Sequence, residues 1–421
     1  MKLAPGTPLE VLLWTDETAA PQPVGRLAMA GGVAQLEWSE WARAARLAFS
    51  PLHYPPEPGL HAARRGLFDG LHGFLADSLP DAWGALLLHG QLRRLGHRYD
   101  DLDAVDRLAL IGNKGRGALV FRPATLVAED AGAIDLDRLA GEAHHVLLGH
   151  ESELDAFLAR LGGGSGGARP KVHISIDADG LLQAGDELAN SAAGLVAEQW
   201  IVKFPSLSDP PDIGPIEEAY ARMARAAGIE MAETRLIASQ NGSGHFATRR
   251  FDRPAPGKRI HMVSLGGAVE ASPHMPSLDY DGFFRATLAI TRDVRDLEQA
   301  FRRMVFNVLA HNRDDHVRQH AFLMDTKGEW HLSPAFDLTF SRGPGGEHYM
   351  GVEGEGRAIT RAHVDALGQR HGIAPRRIAE MVEQVRDALA EWPAHARETG
   401  VDASCDEINV VLTKQWRQFA L

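Results

Sequence analysis

The residues best suited to chemistry form one ordered series along the chain. It begins with a glycine-rich run, GGGSGGARPK at 162–171, that feeds a strand, VHISID at 172–177. Backbone N–H groups free of side chains can approach phosphate oxygens closely. Gly162, Gly164 and Gly167 formally fit G-x-G-x-x-G, although a run so rich in glycine also reads as a flexible linker. A strand follows the loop, which argues against Rossmann and Walker sites, since both need a helix N-terminus there. Lys203 comes next, isolated among apolar residues in the strand WIVKF. Burying an unpaired ammonium is costly, so it needs an anion. Nucleotide phosphates would serve, as would Glu217 or Glu218 early in the next helix. Those glutamates equally suit a helix N-terminus on dipole grounds.

Asp314, Asp315 and His316 follow a buried helix. A carboxylate on such a rigid yet accessible support can orient a hydroxyl or accept its proton. His316 and His320 make H-x-x-x-H, but without the glutamate of H-E-x-x-H they do not read as a zinc site. Asp337 lies one short hairpin further on and suits Mg²⁺. RRFDR (249–253) ends a strand just before the helical half, where a hinge would bind adenine through its backbone; Asp252 with a neighbouring arginine could equally be a weak ion pair. A glycine loop between strands, a strand lysine, an acidic loop and a second Asp is the order found in protein kinases.

The elements needed to position these residues are legible in the patterning. Leu9–Trp14 alternates weakly as a strand, and 66–95 is helical with a break at Pro80. GNKGRGALVF (112–121) is a glycine turn entering a strand, and 134–160 holds one or two amphipathic helices. A helix is predicted over 216–231 with Gly228 near its end. TRLIASQ, GHFATRRFDR and KRIHMVSL read as strands. Leu297, Phe301, Met304, Val305, Val308 and Leu309 form the stripe of a helix buried on one face. HAFLMD, TKG and EWHLS form a hairpin, and the glycines of 342–357 suggest mobility there.

Composition bounds the rest. The 421 residues suit two or three domains. One cysteine, Cys405, excludes a disulfide framework and Cys-rich zinc modules. No apolar run reaches membrane-helix length, and MKLAPGTPLE lacks a signal core, which points to the cytoplasm and to no membrane partner. A net charge of −12 argues against direct nucleic-acid binding.

These motifs resemble the HipA-like serine/threonine kinases, the toxins of type II toxin–antitoxin modules, and the likeness runs over nearly the whole chain. FDGLHGFLADSLPDAWG and GNKGRGALVF resemble the family's N-terminal subdomain. GGARPK resembles its phosphate loop, VKFPS its nucleotide-lysine strand, RRFDR its hinge, NRDDH its catalytic loop and LSPAFDLT its metal-binding segment. The resemblance implies a two-lobed, kinase-like α+β fold with a β-rich N-lobe and a helical C-lobe. It divides the chain into an N-terminal subdomain (1–125), an N-lobe with Gly-rich loop and hinge (126–270) and a C-lobe (271–421).

The resemblance also implies roles. Asp314 is the catalytic Asp and His316 its supporting histidine. Gly164, Gly166, Gly167, Lys203, Arg249 and Phe251 bind ATP. Asp337 and Gln319 bind Mg²⁺, Glu217 pairs with the lysine, and Ser165 is the site of autophosphorylation. At Gln319 the family usually has Asn, one methylene shorter. The implied activity is phosphorylation of a cellular protein, such as a translation factor or an aminoacyl-tRNA synthetase. A helix-turn-helix antitoxin is the implied partner. Two other readings stand beside it: a catalytically weak homologue acting as a corepressor, and a small-molecule phosphotransferase.

Overall fold

Three antiparallel sheets carry the β-structure. The computed structural model describes residues 2–4, 7–126, 134–150, 154–162, 167–177, 179–184 and 197–420. The first sheet comprises β1 (Leu9–Leu13), β2 (Gln22–Ala30), β3 (Val33–Trp38), β4 (Leu60–Ala62) and β5 (Leu119–Arg122), in the order β4-β3-β2-β1-β5. Its register aligns Leu9, Leu27 and Leu36 in one fully buried row. The second comprises β6 (Lys171–Ile176), β7 (Leu182–Ala184), β8 (Glu198–Lys203), β9 (Thr234–Ile237) and β10 (His245–Arg249), in the order β7-β6-β8-β10-β9. Val172, Val202 and Ala247 form its buried row, and the same register sets Lys171 opposite Lys203.

The third sheet is β11 (His261–Ser264), β12 (Ala321–Met324) and β13 (Trp330–Leu332). Because β11 pairs with β12, the strand read in KRIHMVSL belongs with the helical lobe, short of the expected divide at 270. That lobe is built on helix Val294–Leu309, whose predicted apolar stripe is buried throughout. The helix expected over 216–231 runs instead over Ile213–Ala226, and Gly228 follows it at φ +74°. It starts earlier because Pro215 falls in its first turn, where the missing N–H has no partner to lose.

The N-terminal region does not simply extend the small lobe. Phe49, Leu71 and Phe74 share one continuous core with Phe283, Phe301 and Met304 of the helical lobe. The second sheet has a separate core, to which helix Ala82–Arg94 adds Trp83 and Leu87. One region thus packs into both lobes.

Buried carboxylates reinforce these junctions. Asp77 accepts hydrogen bonds from the N–H (2.6 Å) and hydroxyl (2.7 Å) of Ser264. In RRFDR, Asp252 binds Arg250 and Arg253 at 2.8 and 2.9 Å and accepts from the Gly117 N–H at 2.8 Å. Arg253 donates to the Gly117 carbonyl. The pair is therefore a buried clasp between RRFDR and the N-terminal region, not a weak surface contact.

Breaking a buried pair on one side costs about 3–5 kcal/mol. Asp252→Ala is therefore expected to lose about that much in urea denaturation. Arg295→Ala, which removes an exposed surface pair, is expected to leave the urea midpoint unchanged.

Candidate active site

Lys203 ends β8 and is only 8% exposed. Its Nζ lies 3.1 Å from Glu217 Oε2 and also pairs with Asp337. Strand lysine, helix glutamate and hairpin aspartate thus converge across both lobes. Glu218 pairs instead with Arg222, leaving Glu217 as the lysine's partner. Asp337 holds a left-handed φ of +57°, a conformation an aspartate tolerates in a turn. Burial opposes its ionisation, but Lys203, Lys171 and Arg169 outweigh burial and hold the carboxyl well below the usual range.

Asp314 lies in the loop after helix Val294–Leu309. Burial pushes its carboxyl up; the His316 charge opposes that rise and the Asp337 charge adds to it. A carboxylate raised in this way is better able to take a proton. His316 accepts from the Arg318 N–H through Nδ1 and meets the Tyr349 ring edge-on at 5.6 Å. His320 instead stacks on Phe283 at 4.2 Å in the core, where burial pushes its pKa down to about 3. It takes no part in the site.

Gln319 donates its side-chain amide to Asp337 Oδ2 at 3.1 Å. Phe251 meets Phe336, the neighbour of Asp337, at 5.5 Å. Arg249 directs its guanidinium to Glu198 of the adjoining β8 and to Glu233, just before β9. Gly167 has φ +86°, and a Cβ there would meet Lys171 Nζ at 2.6 Å. Gly164, Ser165 and Gly166 lie outside the described residues.

Sequence reasoning missed several groups. Lys171 sits under the Gly-rich loop opposite Lys203, and burial pulls its pKa down to about 8 despite the Asp337 charge. The alternation of β6 paired with β8 was the available signal. Arg169 forks onto Asp209 at 2.9–3.2 Å and reaches Glu217 at 2.5 Å. No local pattern announces contacts of that range.

Segment 342–357 departs from expectation. Asp315, fully buried, accepts from the Tyr280 hydroxyl (2.7 Å) and the Tyr349 N–H (2.8 Å) and bonds His348 Nδ1 (2.8 Å). Arg313 donates to the carbonyls of Gly346 and Arg357. The glycines here turn a fastened segment, and Tyr349 is held against His316.

With this geometry in place, likeness to other proteins becomes informative. Residues 163–392 match the family described as HipA-like C-terminal domain, and 11–122 match HipA N-terminal domain. The chain belongs to the HipA-like family. The HipA of Shewanella oneidensis MR-1, solved with HipB and its operator DNA, is 16% identical. The two superpose with a TM-score of 0.67 over 96% of this chain and 95% of that one. That likeness fixes the HipA-like fold: a β-rich N-terminal region followed by a helical one. The expectation that this chain contacts no nucleic acid finds no support in that complex, which contains DNA. A candidate kinase of Haemophilus influenzae is 24% identical over 147 residues, and the candidate kinase Y4dM of Sinorhizobium fredii 29% over 154. These matches span 32% and 33% of this chain and 43% and 36% of those relatives' lengths. No helix among the described residues is long and apolar enough to cross a membrane.

If Asp315 fastens the segment, Asp315→Asn is expected to speed tryptic cleavage after Arg342 and Arg357 by at least about tenfold, a loss of about 1.4 kcal/mol in local closure. Equal rates for wild type and variant would show that other contacts suffice.

Proposed function

We propose that this protein is an ATP- and Mg²⁺-dependent serine/threonine kinase of the HipA type. The observation that carries the reading is the meeting of Lys203, Glu217 and Asp337 in one buried cluster near Asp314. Lys203 and Lys171 would bind the nucleotide phosphates, and Phe251 would flank the adenine. Asp337 and Gln319 offer oxygen donors on adjoining side chains, the hard ligand type that Mg²⁺ takes. Mg²⁺ held there would offset the negative charge of the phosphates. Asp314 would orient the acceptor hydroxyl and take its proton. The hydroxyl oxygen forms a bond to the γ-phosphorus as the bond to the β-phosphate oxygen breaks, and ADP leaves. The acceptor would be a serine or threonine of a cellular protein, such as a translation factor or an aminoacyl-tRNA synthetase. A loop serine, Ser165, would be the site of autophosphorylation. A helix-turn-helix antitoxin would be the partner, a reading supported by the HipB in the Shewanella complex.

One observation favours the corepressor alternative. Gln319 turns an amide donor toward Asp337, a hydrogen bond that metal binding must break. Intact mass after incubation with Mg-ATP separates the two readings. A gain of one phosphate in wild type, lost in Asp314→Asn and in Ser165→Ala, is expected of the kinase. No gain in wild type but gain in Gln319→Asn would favour the weak homologue.

Lys171 adds a pH dependence. Its folded pKa of about 8 leaves it charged below that pH and neutral above. Mg-ATP affinity is therefore expected to fall as pH rises past about 8, by at most about tenfold per unit. Lys171→Arg keeps its charge and should flatten that fall; an unchanged slope would remove Lys171 from the phosphate site.

A further inference from the structure

Asp81 stands at the N-cap of helix Ala82–Arg94, where an aspartate ordinarily caps its own helix. Its side chain makes no such bond. It turns outward and accepts from the Gly167 N–H at 2.7 Å. The other oxygen pairs with Arg318 of the catalytic loop, and Arg116 Nη2 lies 3.6 Å away. The next residues complete the grip. The Trp83 N–H donates to the Gly167 carbonyl at 3.4 Å, and Trp83 Nε1 donates to the Lys171 carbonyl at 2.9 Å. Gly167 is therefore held through both its N–H and its carbonyl by a helix start in the N-terminal region.

We propose that Asp81 is a positioning residue: it seats the C-terminal half of the Gly-rich loop over the nucleotide site and ties that loop to the catalytic loop through Arg318. This rests on the kinase reading for its consequence, though not for the clasp itself. The geometry assigns the N-terminal region, through Asp81 and Trp83 of the stretch DSLPDAWG, a part in nucleotide binding. Lys171 Nζ lies directly beneath Gly167, so a shift of Gly167 would uncover a phosphate-facing lysine.

The sign of the effect distinguishes positioning from bulk electrostatics. Asp81 is a carboxylate near a site for anionic phosphate. If it acted only through its charge, removing that charge would tighten nucleotide binding. A positioning role predicts the opposite. Asp81→Asn is expected to raise the Mg-ATP dissociation constant about tenfold, the usual scale for a lost charge-assisted bond. Asp81→Glu should recover part of that loss. Unchanged or tighter binding in Asp81→Asn would overturn the proposal.

A second measurement needs no nucleotide. Hydrogen exchange at the Gly167 amide should quicken in Asp81→Asn while the helix Pro375–Ala390 exchanges as in wild type. Equal protection of Gly167, or a loss spread evenly over both regions, would overturn the clasp. Should wild type fail to bind Mg-ATP, the kinase reading falls and exchange still decides the clasp. If Asp81→Asn does not fold, Trp83→Phe keeps the ring and removes the bond to Lys171. It should move affinity and exchange in the same direction, and no change in either would count against the proposal.

Discussion

A buried lysine must be neutralised, and that constraint organises the molecule. Lys203 lies in a strand of apolar neighbours, where its charge costs several kcal/mol without a partner. Glu217 comes from a helix and Asp337 from beyond a hairpin in the other lobe. Satisfying the lysine therefore requires the lobes to meet. Around it, Lys171, Lys203 and Arg169 face Asp209, Glu217 and Asp337: three cations against three carboxylates. Carboxylates thus already engage these cations before any nucleotide arrives. A triphosphate would tip the cluster strongly negative, and so the proposed chemistry calls for a divalent cation as well as lysines.

The meeting of the lobes is braced from a third side. In a two-lobed fold with only a hinge, lobe motion is the default. Here residues of the N-terminal region enter the core of the helical lobe through Phe49 and Phe74, and that of the β-lobe through Trp83. Asp77 and Asp252 add buried polar junctions whose partners cannot be left unpaired cheaply. The lobes are thus coupled through packing as well as through the site.

The sequence made the outline readable because burial writes itself as period. The stripe on helix Val294–Leu309 and the alternation of β6 mark each element's apolar face, although the polar face is buried too, through Arg302, Arg303 and Asn307 on the helix and His173 and Ser175 on β6. Lys203 and Asp314 were visible because a charge among apolar residues, or an acidic pair after a buried helix, breaks the pattern. The reach of Arg169 and Asp81, and the fastening role of Asp315, were not visible. Their partners lie tens to hundreds of residues away, and nothing local marks a polar side chain as reaching across lobes. Segment 342–357 misled for a related reason. Glycine content reports backbone freedom in the unfolded chain, whereas order depends on contacts such as those of Asp315 and Arg313.

Those contacts bear on how the proposed activity could be controlled. From Gly343 to Arg357 the segment contains no serine or threonine. Its order comes from a fully buried carboxylate and from an arginine bound to carbonyls, neither of which needs a phosphate. The Tyr280 and His348 bonds to Asp315 are buried and hold strongly because little water competes for them. The Gly-rich loop is fastened differently. Its described end is gripped by Asp81, whose side chain is 20% exposed, and by two further bonds from Trp83. Water competes there, and so does any charge placed nearby on the loop. Of these contacts, the charge-assisted bond from Asp81 to Gly167 is one that a modest electrostatic change nearby could weaken.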